Sequence, residues 1–189
     1  NPLIDILANS AAQVEVYNSQ LVDGGSSCIE VGDSLTNLTL SNISFERCSG
    51  PALRAENIEL SLESITIGAG SSHGLVLSSV TGSLYGLDGI EFDGTGNLLK
   101  LNYINNDFVV ENVVGRTGQS SAISGANNRA LDLQTVEIIG SPGIVLESSA
   151  GTLSNIMLHG LGAGTGLIIN HGRNGQNLVL DNVHISGYN

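Results

Sequence analysis

Three observations predict an all-β chain wound as a right-handed parallel β-helix. A short motif recurs eight times along the 189 residues. Each copy places apolar residues at period two on both sides of a polar corner, with the phase slipped by one across it. Gly/Ser-rich turns separate the copies at a near-constant interval, the mark of a solenoid. The clearest copy is Leu38-Thr39-Leu40-Ser41-Asn42-Ile43-Ser44-Phe45. Anchored on Asn42, the others centre on Asn18, Ser64, Gly89, Asn112, Thr135, Asn155 and Asn182, with gaps of 24, 22, 25, 23, 23, 20 and 27 residues.

The elements follow in order within a copy. Two and four residues before the corner stand pairs such as Leu40/Leu38, Leu62/Leu60, Val110/Phe108 and Leu133/Leu131, which read as a strand with one buried face. One and three residues after it stand Ile43/Phe45, Ile65/Ile67, Val136/Ile138 and Ile156/Leu158, a second strand. The slip is read as two consecutive inward residues at the corner. Asn, Ser, Thr and Gly suit a positive φ there, or a bond to the neighbouring copy. A turn such as Gly24-Gly25-Ser26 or Gly68-Ala69-Gly70 leads to a third strand, as in Cys28–Val31, Gly74–Leu77 and Gly143–Leu146. Three strands per ~23 residues predict three parallel sheets and about eight coils stacked ~4.8 Å apart. Residues 1–189 form one β-helix domain. Neither end carries a recognisable cap, so the expectation is a segment of a longer rod.

Composition agrees. Apolar residues make up 41% and aromatics 4%, with no Trp, which suits a narrow core of stacked Leu, Ile and Val. Six Lys and Arg against 18 Asp and Glu give a net charge of −12, which argues against nucleic acid or an anionic membrane as partner. No apolar run approaches the ~20 residues of a membrane span. Cys28 and Cys48 lie in adjacent copies, and the sequence leaves open whether they are joined.

The stacked corner residues Asn18, Asn42, Asn112, Asn155 and Asn182, interrupted by Ser64, Gly89 and Thr135, resemble the asparagine ladder of the pectate lyase (pectin lyase-like) superfamily. The resemblance covers the whole chain and speaks to fold. That fold serves enzymes, phage tailspikes and surface adhesins alike. Lyases of the family use clustered Asp for Ca²⁺ and an Arg or Lys base on the first sheet. The corresponding outward row here reads Glu30, Arg54, Val76, Lys100, Ser124, Val145 and Ile168, which holds no Asp cluster. Arg54 beside Glu30 reads as a surface ion pair. Val76, Val145 and Ile168 make part of that face apolar, a surface for another chain or a covering loop.

The residue before the corner gives the sharpest candidate site. Glu63, Asp88 and Glu111 are consecutive in that row, so three carboxylates would stack at strand spacing. Like charges that close splay apart, take up protons or bind a cation, and oxygen-only ligands suit Ca²⁺. The fold itself requires no cofactor. Glu91 and Glu137, two coils apart with Val114 between, are spaced near the upper limit for an inverting glycosidase pair. The four histidines fall at different repeat positions, and His171-Gly172-Arg173 only faintly resembles the hydrolase histidine motif. Asn37-Leu38-Thr39 and Asn42-Ile43-Ser44 match the glycosylation sequon. An inward Asn42 would be closed to it.

Two functions remain. One is a non-catalytic rod, adhesin- or fibre-like, extracellular or on the cell surface. It would present faces to a polysaccharide, cell-surface glycan or protein, and would self-associate along the rod or through the apolar face. The other is a carbohydrate-active lyase, epimerase or hydrolase.

Overall fold

The computed structural model describes residues 2–6, 12–31, 35–105, 108–170 and 177–189. In chain order the strands are β1 (Ile4–Ile6), β2 (Ala12–Val22), β3 (Ile29–Val31), β4 (Leu35–Glu46), β5 (Pro51–Glu56), β6 (Glu59–Ile67), β7 (His73–Ser78) and β8 (Thr81–Gly89). There follow β9 (Leu99–Asn102), β10 (Phe108–Arg116), β11 (Ile123–Ala126), β12 (Leu131–Ile139), β13 (Ile144–Glu147), β14 (Gly151–Gly162), β15 (Leu167–Asn170) and β16 (Leu178–Tyr188). Odd strands pair in parallel with the next odd strand, and even strands with the next even one. Each strand therefore lies against its copy one coil away. Eight strands in each sheet make seven steps, the parallel β-solenoid that the repeat predicts.

The first and second strands of each repeat, before and after the corner, are not separate. They form one long strand, so the solenoid has two hydrogen-bonded sheets, the second of them bent. The bend is a single residue in the left-handed region: Asn42 at φ 56°, Ser64 at 54°, Asn112 at 58°, Thr135 at 53° and Asn155 at 53°. One such residue turns the chain without interrupting the ladder, which runs on from Ser41↔Glu63 to Ile43↔Ile65.

The register corrects one corner. Tyr85 pairs with Glu63 and Glu111, and Leu87 pairs with Ile65 and Val113, so the fourth corner is Gly86, at φ 80°, and not Gly89. It also corrects the facing of the corner. The residues two before and one after point inward: Leu40 and Ile43 are buried, as are Leu62 and Ile65. The corner residues Asn18, Asn42, Ser64, Asn112, Thr135, Asn155 and Asn182 are exposed. The extra residue thus sits on the outside of the bend, where a polar side chain needs no buried partner. Asn42 Nδ2 donates to Asn18 Oδ1 at 2.8 Å, and Asn182 Nδ2 to Asn155 Oδ1 at 2.8 Å. Ser64 and Gly86 separate Asn42 from Asn112.

Inside the bend the core is aliphatic, with Phe45 and Phe108 as its largest fully buried side chains. Each such Leu, Ile or Phe contributes roughly 1.5–3 kcal/mol through removal from water. Asn128 is the one amide side chain fully buried among them in the described residues. Asn128 stands in the stack that reads Ile58, Val80 and Ile104 on earlier coils. It accepts from Ile104 N at 2.9 Å and donates to Leu101 O at 3.0 Å and to Ser149 Oγ at 3.2 Å. Cys28 and Cys48, left open by the sequence, form a disulfide between adjacent coils, and both are buried. No helix among the described residues is long and apolar enough to cross a membrane.

Candidate ligand sites on the bent sheet

On the outside of the bend a gap opens along the rod where corner side chains are short. Between Asn42 and Asn112 the corner reads Ser64 and Gly86, so the row drops to a hydroxymethyl and then to no side chain at all. A groove of about 330 Å³ lies there, lined by Asn42, Ser64, Thr66, Gly86, Asp88 and Asn112 among others, with Ile90 on its rim. Three coil steps separate the two asparagines, roughly 14 Å at strand spacing. Amides close both ends, hydroxyls line the floor, and Ile90, 42% exposed, gives an apolar edge. Few convergent polar groups on a partly apolar wall is the composition of a small-ligand site.

The expected carboxylate row takes a different form. Glu63 and Glu111 keep their places before the corner, but Tyr85 stands between them, one rung from each. Asp88 lies two residues past the corner, paired with Thr66 and Val114, where its Oδ1 accepts from Ile90 N at 3.0 Å. Tyr85 is an exposed aromatic. Its hydrogen bond to Glu111 and that carboxylate's charge push the phenol pKa up. Tyr17, equivalent three coils earlier, bonds Glu15 Oε2 at 3.0 Å and is raised for the same reason. Among the described residues no three His, Cys, Asp or Glu side chains converge as a metal set.

The remaining candidates are placed as follows. The outward row of the short strands keeps its predicted register from Glu30 through Arg54, Val76, Lys100, Ser124 and Val145 to Ile168. Arg54 Nε stands 4.0 Å from Glu30 Oε1, a solvent-exposed contact of little energetic weight. Glu91 falls in the turn after β8, so the carboxylate in register with Val114 and Glu137 is Asp88. Glu137 instead lies 3.9 Å from His159 Nε2, and His159 Nδ1 is 3.1 Å from Ser186 Oγ. His171-Gly172-Arg173 lies outside the described residues. Asn42 is exposed, so the inward facing that closed its sequon does not hold.

A second pocket was missed in the sequence. About 540 Å³ in volume, it lies at the start of the long strands and is lined by Arg129, Asp132, Thr152 and Asn177 among others. Asp132 occupies an outward rung between Val109 and Thr152. Its Oδ2 accepts from Gln134 Nε2 at 2.8 Å, while its Oδ1 is buried without a hydrogen-bond partner. An unpaired buried acceptor costs on the order of 1–3 kcal/mol. The row three before the corner, which reads Glu15, Thr39, Ser61, Ser83, Val109, Asp132, Thr152 and Val179, carries the signal, since Asp132 is an isolated acid in its centre.

No protein-family model, curated protein or solved structure matches this chain.

Proposed function

We propose that the chain is a non-catalytic β-helix rod of the pectate lyase-like type, extracellular or on a cell surface, that presents its bent sheet to glycans. The observation that carries this reading is the groove between Asn42 and Asn112. It spans successive coils, as a linear chain ligand needs, and offers amides, hydroxyls and an aliphatic edge rather than a deep reactive cleft. Tyr85 beside it is an exposed aromatic of the kind that stacks on a sugar ring. The buried disulfide supports an oxidising compartment. The paired corner asparagines support the superfamily resemblance, although they stack on the outside of the bend.

The test is an oligosaccharide array with uncharged and uronate members, read alongside an ultraviolet assay for unsaturated products from polyuronate. Saturable binding without product formation supports the rod. Accumulation of unsaturated product overturns it in favour of a lyase.

A further inference from the structure

We infer that the pocket at Asp132 is a binding site for an uncharged, hydroxyl-rich ligand, a neutral sugar residue of a larger glycan. The inference rests on the glycan-presenting reading and assigns it a place and a ligand class. It starts from Asp132 Oδ1, buried with no partner while its sister oxygen is held by Gln134. An acceptor left empty in this way calls for a hydrogen-bond donor, such as a hydroxyl or an ammonium, or for a coordinated metal ion.

The neighbours choose among these. Arg129 lines the same pocket, and its permanent positive charge opposes an ammonium or a metal ion. Asp132 opposes a uronate in the same way. One charge of each sign leaves a lining that is neutral on balance, so the favoured ligand is uncharged. Thr152 and Asn177 each offer a donor and an acceptor, as the alternating hydroxyls of a sugar ring require. Val109, Ala130 and Ala150 supply the apolar wall against which a ring face packs. The volume falls within the range of small-ligand pockets. One coil earlier on the adjoining corner, Tyr103 is 52% exposed and holds φ 54°, a left-handed conformation unusual for a bulky side chain. The same corner is left-handed on other coils, at Asn57, Ser79, Asn127 and Ser148, so what sets Tyr103 apart is its exposed ring, a stacking surface for the next sugar of a chain.

The test uses the intact chain with neutral hexose and pentose oligosaccharides as probes and galacturonate oligomers as the charged comparator. Affinity is read by calorimetry and location by amide chemical shifts. The expected result is saturable binding of a neutral oligosaccharide, with shifts at Arg129, Asp132 and Thr152. Affinity falls tenfold or more in D132A, whose thermal midpoint is unchanged or raised because the orphaned acceptor is gone. The near-isosteric T152V loses severalfold and guards against a folding artefact in D132A. Neutral binding that survives D132A and T152V within twofold overturns this site and leaves the rod reading intact. Binding of galacturonate alone overturns the ligand class. Failure of every oligosaccharide to bind overturns the site and the glycan reading together.

Discussion

Filling the gap at Gly86 separates what the corner does for the fold from what it does for a ligand. Gly86 sits at φ 80°, in a row whose neighbours Ser64 and Asn112 hold 54° and 58°. A Cβ added there meets nothing nearer than Ser64 N at 3.6 Å and Ser64 Cα at 3.7 Å, ordinary contacts. In G86N the left-handed backbone costs less than the ~1–2 kcal/mol of an ordinary residue, because Asn adopts it readily. Restricting the unfolded chain returns about 0.4–1 kcal/mol, and an amide bond toward Asn112 returns about 0.5–1.5 kcal/mol. The sum lies within about 1 kcal/mol of zero, while the new side chain occupies the floor of the groove. Urea unfolding followed by circular dichroism is therefore expected to show an unchanged midpoint, and oligosaccharide binding at the groove is expected to fall tenfold or more. Gly151 supplies the contrast, at φ 136° with its Cβ position overlapping the Leu131 carbonyl. G151N is expected to lose at least ~2 kcal/mol. A loss of ~2 kcal/mol or more in G86N would refute the open corner. Undiminished binding would refute the groove as the contact surface.

Three further outcomes are expected. Replacing both Cys28 and Cys48 by Ala releases a constraint spanning 20 residues, worth about 3 kcal/mol by chain entropy; denaturant unfolding measures it, and a loss under ~1 kcal/mol would contradict it. Tyr85 and Tyr17 ionise above the ordinary phenol value in an ultraviolet pH titration, and E111Q returns Tyr85 alone toward it. His73 has its pKa lowered by burial and then by the charges of Lys100 and Arg54, so the unfolded chain binds that proton more readily. Its contribution to stability is full above the unfolded value of about 6.5 and is lost as pH falls through the lower folded value. H73Q should flatten the acid side of the stability profile between those two values, and an unchanged profile would count against it.

The rod was legible in the sequence because its period is short and its inward residues are nearly all aliphatic. The groove was harder, for a reason visible in β8. An inward pair three residues apart brackets every corner, as Leu40 and Ile43 do, and both Leu84/Leu87 and Leu87/Ile90 meet that spacing around a glycine. Pattern alone chose the second. Hydrogen bonding chose the first, because only Leu87 after the corner keeps register with Ile65 and Val113. The three-residue difference moved Asp88 out of the carboxylate row and brought Tyr85 into it. The facing of the corner was misread for a related reason. Two adjacent polar residues, such as Ser41 and Asn42, fit an outward pair, and the Asn42–Asn18 bond forms with both side chains exposed. Asp132 escaped notice because nothing in the repeat distinguishes an acid that lacks a partner from one that is simply solvated.

Asn128 also bears on how a stack of near-identical rungs keeps its alignment. Aliphatic layers are interchangeable, so a slip by one coil would leave Leu on Leu and Ile on Ile at little cost. Asn128 breaks that degeneracy, since its amide reaches backward to Leu101 and Ile104 and forward to Ser149. Displaced by one coil, it would meet an aliphatic residue and forfeit buried bonds on at least one side. One polar key among the layers thus numbers the coils, and the positions of the groove and of the Asp132 pocket along the rod are set relative to that key.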